Sequence, residues 1–200
     1  MRKVIVVNHV TLDGVMQAPG RPDEDRRGGF QHGGWAFADF DPVMNAAMAE
    51  GMARGGDLLF GRRTYEDFAG FWPHQKDNPF TQVLDQSQKY VASTTLRKPL
   101  PWVNSTLLEG DVARAVRGLK DEEGNDLVIL GSGELITSLL PHGLIDEYLL
   151  MIHPLVFGKG RRLFTDGGPS TALQLVDAKS TTKGVIIATY RSAMAREESG

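Results

Sequence analysis

Cysteine is absent from the 200-residue sequence, which excludes disulfide bonds, thiol nucleophiles and metal sites built on thiolates. Long apolar runs are also missing, because the run Val4–Val7 ends at Asn8 and no later stretch approaches a membrane span. We therefore expect a cytoplasmic protein without an export signal. Neither sign of charge dominates, since 22 Lys and Arg face 25 Asp and Glu. This balance gives no support to a nucleic-acid or anionic-membrane partner.

Two common groups of catalytic motifs are missing as well. The five histidines do not have the spacing of metal ligands, and no His-Glu-x-x-His sequence occurs. A Gly-x-Ser-x-Gly nucleophile elbow is also absent. Zinc-dependent and serine-dependent hydrolysis are therefore poorly supported, and no metal site is predicted.

The sequence does contain a regular alternation of apolar, β-branched segments with amphipathic segments. This alternation predicts an α/β fold in which a mostly parallel central sheet lies between two helical layers, a three-layer αβα sandwich. The last two apolar segments, Gln174–Lys179 and Val185–Arg191, predict a terminal antiparallel hairpin, which makes the sheet mixed. We expect one domain over residues 1–192 and a frayed polar tail over residues 193–200.

The first predicted strand is followed by an unusually long irregular segment. Val4–Val10 is rich in β-branched residues, which is typical of a strand buried on both faces. The segment Thr11–Asp39 follows, and loops of this length are usually functional or disordered. Asp41 and Pro42 then predict a helix start. That helix carries a stripe of methionines, which suits either the core or an apolar pocket: Met44, Met48 and Met52.

The segment Leu127–Leu135 predicts a strand, a turn Gly131-Ser132-Gly133 and the start of a helix. Ligands of parallel sheets bind beyond the carboxyl ends of the strands, where such turns lie. Backbone N–H groups and the positive end of the helix converge there, which suits a phosphate. The turn lacks the third glycine of a dinucleotide-binding fingerprint and the lysine of a Walker loop. A tight turn that binds nothing explains the residues equally well.

Two further strand ends carry donors suited to phosphate. One is Gly61-Arg62-Arg63-Thr64, at a predicted helix start, where the arginines either bind an anion or remain solvated. The other is Ser93-Thr94-Thr95, after a predicted strand, where the hydroxyls either bind a ribose phosphate or cap a turn. Together with the glycine turn, these segments suit a dinucleotide that carries an extra phosphate.

The segment that leaves the first strand contains Asp13-Gly14. An Asp-Gly pair is a turn signature, and this alone explains Asp13. Alternatively, Asp13 is a carboxylate at the mouth of the site that orients a substrate or supplies a proton. Aromatic residues farther along, Trp35, Phe37 and Phe40, either cover a planar heterocycle or pin the loop to the core.

Taken in order, these segments resemble the dihydrofolate reductase-like superfamily. The closer resemblance is to stand-alone relatives of the C-terminal reductase domain of the bifunctional riboflavin-biosynthesis deaminase-reductase. It extends from about Lys3 to Arg191. The motifs that carry it are Thr11–Gly14, Leu59–Tyr65, Lys89–Leu96, Trp102–Leu107, Leu130–Leu135, Leu144–Tyr148 and His153–Phe164.

The resemblance implies a mixed, mostly parallel sheet, NADPH as the hydride donor, and a homodimer as a common assembly. It also implies that Asp13 lies near the substrate, and we predict Asp13 as the catalytic residue, directly or through a water. The residues predicted near the cofactor are Gly61, Arg62, Thr64, Ser93, Thr95, Gly131, Ser132, Gly133, Glu134 and Leu135. Those predicted near the substrate are Asn8, Asp13, Gly14 and Trp35.

Two departures from the resemblance bear on the ligands. Thr94 stands where relatives often carry arginine, which weakens the case for selectivity toward the 2′-phosphate. Asn45 stands about where dihydrofolate reductases keep the carboxylate that binds the pterin.

We therefore predict an NADPH-dependent reductase that transfers a hydride to a C=N or C=O carbon of a small heterocyclic substrate. The most specific form is reduction of a ribosylamino-pyrimidine, as by a 5-amino-6-(5-phosphoribosylamino)uracil reductase of riboflavin synthesis. The alternatives are a dihydrofolate reductase and a non-catalytic, dimeric nucleotide-binding protein.

Overall fold

The computed structural model describes residues 1–193, which form an eight-stranded sheet covered by helices. The strands are β1 (Val4–Thr11), β2 (Asp57–Gly61), β3 (Lys89–Ala92), β4 (Ser105–Leu108), β5 (Leu127–Leu130), β6 (Glu147–His153), β7 (Leu173–Ser180) and β8 (Ile186–Ser192). The α helices are α1 (Pro42–Arg54), α2 (Arg62–Phe71), α3 (Pro79–Gln86), α4 (Val112–Asp121) and α5 (Gly133–Leu139).

The spatial order of the strands is β4-β3-β2-β5-β1-β6-β8-β7. The first six in this order run parallel to one another. Strand β8 pairs antiparallel with β6, and β7 pairs antiparallel with β8. The predicted mixed sheet and its C-terminal hairpin are therefore confirmed. Because six strands are parallel, their carboxyl ends lie along one edge of the sheet, where ligands bind in such folds.

Alternate residues of the strands pack against two different helical layers. In β2, Leu59 belongs to the core cluster that α4 and α5 cover, whereas Leu58 and Phe60 belong to the cluster that α2 and α3 cover. Helix α1 buries Met44 against Met151 of β6. Since successive strand residues face opposite sides of a sheet, the helices lie on both faces. The predicted three-layer α/β architecture is confirmed.

Strand β1 differs from its prediction, because only one of its faces is fully buried. Val4, Val6 and Val10 are fully or almost fully buried, whereas Val7 and His9 are only partly buried. The partly buried side chains line a cavity near the carboxyl end of the strand. The apolar sequence of β1 therefore serves a core on one face and a ligand-sized space on the other.

The long segment between β1 and α1 is ordered and has a hydrophobic cluster of its own. Val15, Phe30 and Trp35 are buried there, and Leu155 and Phe157 pack against them. Two short 3₁₀ turns, Arg27–Gly29 and Phe37–Asp39, also lie in this segment. The segment, which we call the cover loop (Thr11–Phe40), is thereby held against the carboxyl edge of the sheet.

The C-terminal hairpin ends next to residue 193. The backbone N–H of Ala193 donates to the carbonyl of Ala172, 2.9 Å away. The rest of the predicted tail, residues 194–200, lies outside the described residues. No helix within residues 1–193 is long and apolar enough to cross a bilayer.

A buried polar cluster joins three strands at the amino edge of the sheet, opposite the cavity. The Arg2 guanidinium forms an ion pair with Asp57 at the start of β2. It also donates to the carbonyl of Asn125, just before β5, and Asn125 Nδ2 donates to Asp57 Oδ1 over 3.2 Å. Arg2 and Asp57 are both buried. This cluster therefore stabilises the amino edge of the sheet and does not belong to the lining of the cavity at the carboxyl edge.

We expect Asp57→Ala to lower the free energy of unfolding by about 3–5 kcal/mol, because it leaves the Arg2 charge buried and unpaired. Urea denaturation measures this loss. The control is Glu109→Ala, which breaks the exposed ion pair with Lys98 and should cost less than about 1 kcal/mol. Equal losses in the two variants would contradict a stabilising role for the buried cluster.

Candidate active site

A cavity of about 1210 Å³ opens between the carboxyl edge of the sheet, the cover loop, α1 and α2. Most small-molecule sites measure roughly 300–1,000 Å³, so this cavity has room for a large ligand or for two smaller ones. Its floor consists of Val7, Asn8 and His9 of β1, Met151 of β6 and the turn that follows β5. The predicted ligand-binding edge of the sheet is therefore the edge that carries the cavity.

The turn after β5 is fixed to its neighbours by hydrogen bonds. Asn8 Oδ1 accepts from the N–H of Gly131 over 2.9 Å, and Asn8 Nδ2 donates to the Gly131 carbonyl over 3.3 Å. The N–H of Ser132 donates to Thr64 Oγ1, and Ser132 Oγ accepts from the N–H of Gly61. Gly131 has a φ of +63°, and a Cβ there would lie 3.3 Å from Thr64 Cγ2. Both the conformation and the close approach of α2 thus require glycine.

The helices that begin at this turn and at Gly61 lack side-chain caps. Helices α1, α3 and α4 each begin with a side chain that accepts a backbone N–H: Asp41, Asn78 and Asp111. Helix α2 begins at Arg62, directly after Gly61, and helix α5 begins at Gly133, directly after Ser132; within residues 1–193, no side chain accepts from the N–H groups of their first turns. The bond between Gly61 and Ser132 holds these two helix starts side by side. Free N–H groups and two positive helix ends therefore converge at the cavity, an arrangement that suits an anion.

Three arginines around the cavity share one exposed carboxylate. Glu134 Oε1 lies 2.6 Å from Arg63 and 3.5 Å from both Arg27 and Arg161. The Glu134 side chain is 71% exposed, and among residues 1–193 Arg27 alone of the three arginines has a second acidic partner, Asp25. Positive charge is therefore in excess at this point, which adds to the anion preference of the helix starts.

The part of the cavity beside α2 is aromatic, and two of the residues that line it each carry a buried polar atom without a partner among residues 1–193. Phe68, Phe71, Trp72 and Phe80 line it. Within residues 1–193, Trp72 Nε1 is buried without a hydrogen-bond partner, and so is one oxygen of Asp67. The other Asp67 oxygen pairs with Arg21 of the cover loop. A buried donor and a buried acceptor without partners are costly unless a ligand or water satisfies them.

The Arg21 guanidinium also lies over the Phe71 ring, 4.2 Å from its centroid. Together with the Asp67 pair, this contact fastens the cover loop to α2. Close by, Glu24 lines the cavity and accepts from the N–H groups of Gly20 and Arg21. Burial raises the pKa of Glu24, more than these two hydrogen bonds and Arg21 lower it. A carboxyl in such surroundings holds its proton more readily than one in water.

Three polar side chains form a line at the end of the cavity near α1. His153 Nδ1 lies 2.9 Å from Asp39 Oδ2, and His153 Nε2 lies 2.9 Å from His9 Nδ1. His153 is fully buried, whereas His9 lines the cavity. Phe40 stacks on the His9 ring at a centroid distance of 6.0 Å. The sequence had given no role to either histidine, because neither has the spacing of a known motif.

The structure brings six of the predicted site residues to the cavity and leaves the others outside its lining. The six are Asn8, Thr64, Gly131, Ser132, Gly133 and Glu134. Gly61 packs directly against Ser132. The Leu135 side chain is buried in the core, so only the backbone N–H of Leu135 belongs to the open start of α5. Arg62 forms an exposed i,i+4 pair with Glu66, whereas Arg63 lines the cavity. The helical phase therefore favours Arg63 as the arginine that meets a ligand.

The other predicted residues serve the loops around the cavity. Ser93 Oγ accepts from the N–H groups of Thr95 and Leu96, which is the turn-capping alternative noted from the sequence. Trp35 is buried and donates from Nε1 to the Gln17 carbonyl, so it pins the cover loop to the core. Gly14 occupies a turn with a φ of +79°. Binding roles for these residues stay predictions.

Asp13 lies outside the lining of the cavity. One oxygen of its carboxylate accepts from Thr11 Oγ1 and from the N–H of Phe157, which lies 3.3 Å away. The other oxygen accepts from the N–H of Gly158, which lies 2.8 Å away. Burial acts to raise the pKa of Asp13, but these hydrogen bonds outweigh it and lower the pKa below its ordinary value. Such a carboxylate gives up its proton readily and joins two loops. Its predicted catalytic role stays a prediction, and its surroundings favour a structural role.

Residues that could hold a metal ion were sought among His, Cys, Asp and Glu. Within residues 1–193, no group of three or more of them is arranged for that purpose.

Comparison with known proteins assigns the chain to a family. Residues 2–187 match the RibD C-terminal domain family. Among Bacillus subtilis (strain 168) proteins, the uncharacterized protein YyaP is 27% identical over 94% of both chains. The uncharacterized protein YwjB is 33% identical over 64% of this chain and 69% of its own.

Solved structures share the fold at low sequence identity. A putative riboflavin biosynthesis protein from Shewanella sp. PV-4 superposes with a TM-score of 0.73 at 22% identity, covering 96% of this chain and 99% of its own. A pyrimidine reductase-like protein from Corynebacterium diphtheriae gives 0.63 at 12% identity, with 96% and 92% covered. A Thermotoga maritima diaminohydroxyphosphoribosylaminopyrimidine deaminase/5-amino-6-(5-phosphoribosylamino)uracil reductase gives 0.61 at 16%, with 96% and 57% covered.

These matches confirm the resemblance inferred from the motifs, including the dihydrofolate reductase-like fold. The family match covers strands β1 to β7, the cavity and the two helix starts, and it identifies a reductase-like domain. The chain belongs to the RibD C-terminal domain family.

Proposed function

We propose that this protein is an NADPH-dependent reductase that transfers a hydride to a C=N or C=O carbon of a small, planar heterocycle. The observation that carries the proposal is the pair of uncapped helix starts, at Gly61 and Ser132, that meet at the cavity. When bound, NADPH supplies the hydride, and the chain supplies position and electrostatics.

The residues present fit the phosphates of a dinucleotide. The first-turn N–H groups of α2 and α5 are available as donors, while Asn8 and Thr64 hold the connecting turn rigid. The excess of arginine over carboxylate around Glu134 favours a ligand with more than one negative charge. A phosphate that enters here takes the place of the exposed Glu134 carboxylate as the partner of Arg63.

The rest of the cavity fits flat rings. Phe40, Met48 and Met52 line the end near α1, and Phe68, Phe71 and Trp72 line the end near α2. Aromatic faces and polarizable thioethers pack well against heterocycles. A ribosylamino-pyrimidine, the type of substrate named for the Thermotoga relative, has a flat ring of this kind.

The part of α1 that faces the cavity argues against dihydrofolate as the substrate. The residues of α1 that line the cavity are the methionines Met48 and Met52, and Asn45 is exposed instead. A protonated pterin needs a carboxylate partner, and α1 offers none to the cavity. The alternative of a non-catalytic nucleotide-binding protein predicts the same nucleotide site, so a measurement of turnover is needed to distinguish it from the reductase.

We assign the proton that accompanies the hydride to Glu24. This carboxyl lines the cavity and its pKa is raised by burial, which suits a general acid. Asp13 has a lowered pKa and lies outside the lining.

The predicted homodimer remains a prediction of the sequence analysis.

We expect NADPH to bind with micromolar affinity, and Arg63→Ala to weaken it about tenfold through loss of a charge-assisted phosphate contact. Calorimetric titration with NADPH, and separately with NADH, measures the effect. Arg62→Ala is the matched control and should change the affinity less than about twofold, since Arg62 pairs with Glu66 away from the cavity. Glu134→Gln should tighten binding, because it removes a competing carboxylate. Absence of saturable binding of either nucleotide would overturn the cofactor assignment.

We expect oxidation of NADPH by 5-amino-6-(5-phosphoribosylamino)uracil or a related heterocycle, followed as loss of the reduced-nicotinamide absorbance. Glu24→Gln should lower kcat about 100-fold, the usual contribution of a general acid, with NADPH affinity retained. Asp13→Asn is the companion variant, and it should keep kcat within a few-fold. A large loss in Asp13→Asn with none in Glu24→Gln would return the catalytic role to Asp13. NADPH binding without turnover of any acceptor would favour the non-catalytic alternative.

We expect Asp13→Ala to lower the free energy of unfolding by roughly 1–2 kcal/mol through its lost hydrogen bonds. The folded pKa of Asp13 is lowered, so its contribution is present above the unfolded value of about 3.9 and is lost as pH falls through the folded value. Urea denaturation at neutral and acidic pH measures this. A difference between variant and wild type that persists unchanged at the lowest pH would argue against the charged form as the stabilising one.

A further inference from the structure

The line of polar groups formed by Asp39, His153 and His9 is not used by the proposed reaction. It runs from the cover loop, through a fully buried ring on β6, to a ring of β1 that faces the cavity. Both contacts measure 2.9 Å, which is a normal hydrogen-bond length. The remaining ring nitrogen, His9 Nε2, has no hydrogen-bond partner among residues 1–193.

The hydrogen-bond chemistry of this line fixes the position of every proton in it. A carboxylate can only accept, so His153 Nδ1 carries the proton that it shares with Asp39. In a neutral ring the other nitrogen then accepts, so His153 Nε2 accepts from His9 Nδ1. By the same rule, His9 Nε2 has a lone pair and no proton. The nitrogen that faces the cavity is therefore an acceptor.

Both rings are neutral near pH 7. Burial, with repulsion from His153, lowers the pKa of His9 to about 3. Burial also lowers the pKa of His153, although the bond and the charge of Asp39 act to raise it. The packing of the rings preserves the arrangement, since Trp35 meets His153 edge-on at 5.0 Å and Phe40 stacks on His9.

We propose that His9 Nε2 is a specificity-determining acceptor that selects an N–H or O–H group of the substrate, and that Asp39 and His153 are positioning residues that hold it in this tautomer. The class of substrate is thereby narrowed to rings with a lactam N–H, an amine or a hydroxyl at the end near α1. This role of His9 rests on the proposed function in one respect, which is that the cavity is taken as the site that binds the substrate.

The position of the protons in this line also means that His9 does not supply the proton that the reaction needs. Reduction of a C=N or C=O bond adds a hydride to carbon and a proton to the heteroatom. His9 Nε2 carries no proton to give in the neutral state, so its role in the reaction is to orient the ring. The carboxyl of Glu24 lines the cavity, and burial raises its pKa, so it remains the group to which we assign the proton.

The first test is the tautomer itself, read from the ¹⁵N shifts of histidine-labelled full-length protein at neutral pH. His9→Phe assigns the His9 signals. We expect a protonated Nδ1 and an unprotonated Nε2 on His9, which is the less common tautomer of a free imidazole. Asp39→Leu removes the acceptor of the His153 Nδ1 proton while keeping a side chain of similar size, so the line loses its fixed direction and a protonated His9 Nε2 becomes populated. A protonated Nε2 in the wild type, or an unchanged tautomer in Asp39→Leu, would overturn the proposal.

The second test uses phenol and anisole as probes, because anisole has an O–CH3 group in place of the O–H donor of phenol, and the variants below separate the effect of the donor from that of the added methyl group. We expect phenol to bind the cavity about three- to tenfold more tightly than anisole, as one added hydrogen bond predicts, and to shift the His9 Nε2 signal. His9→Phe should abolish the preference while keeping a ring of similar shape. His32→Phe is the matched control, since His32 stacks on Phe157 and does not line the cavity, and it should keep the preference.

Equal affinities for phenol and anisole, or no change of the His9 signals up to the solubility limit of phenol, would overturn the proposal. Both measurements are made without nucleotide. Failure of NADPH binding would therefore contradict the proposed function and leave these results standing, whereas a wrong tautomer would contradict only the role of His9.

Discussion

The hydrogen bonds around Gly131 fix the geometry on which the rest of the site depends. Asn8 holds the turn to β1, and the bonds between Ser132, Gly61 and Thr64 hold it to the start of α2. Two helix starts are thereby kept side by side, and within residues 1–193 no side chain caps the N–H groups of their first turns. The absence of caps lowers local helix stability and leaves these groups available to the anion of the proposed function. The amino edge of the sheet, with its buried Arg2–Asp57 pair, provides stability away from the cavity.

The cavity divides into parts of different chemistry. Arginines surround the helix starts, aromatic rings line the side of α2, and a neutral chain of histidines ends near α1. A ligand with a charged end and a flat polar ring satisfies all three parts at once. The cover loop contributes to each of them, through Arg27, Arg21 and Asp39. Its hydrophobic cluster around Trp35 is therefore a condition for the site as well as for the fold.

Local patterns in the sequence predicted the elements well, because their signals lie within a few residues. The strands and helices follow from apolar periodicity, from the helix start at Asp41 and Pro42, and from the glycine turn after β5. The two arginines after Gly61 illustrate the limit of such patterns. Arg62 and Arg63 are adjacent, so the rotation of α2 against the sheet decides which of them lines the cavity.

The sequence by itself determined the family, the order of strands and helices, and the edge of the sheet that carries the cavity. These follow from short-range periodicity and from ordered motifs. Only the tertiary structure decided which polar groups meet. Asp39, His153 and His9 come from a loop and two strands, and the register that pairs β1 with β6 brings them into line. Asp13, in contrast, is drawn to the amides of Phe157 and Gly158, a contact across 144 and 145 residues that no local pattern encodes.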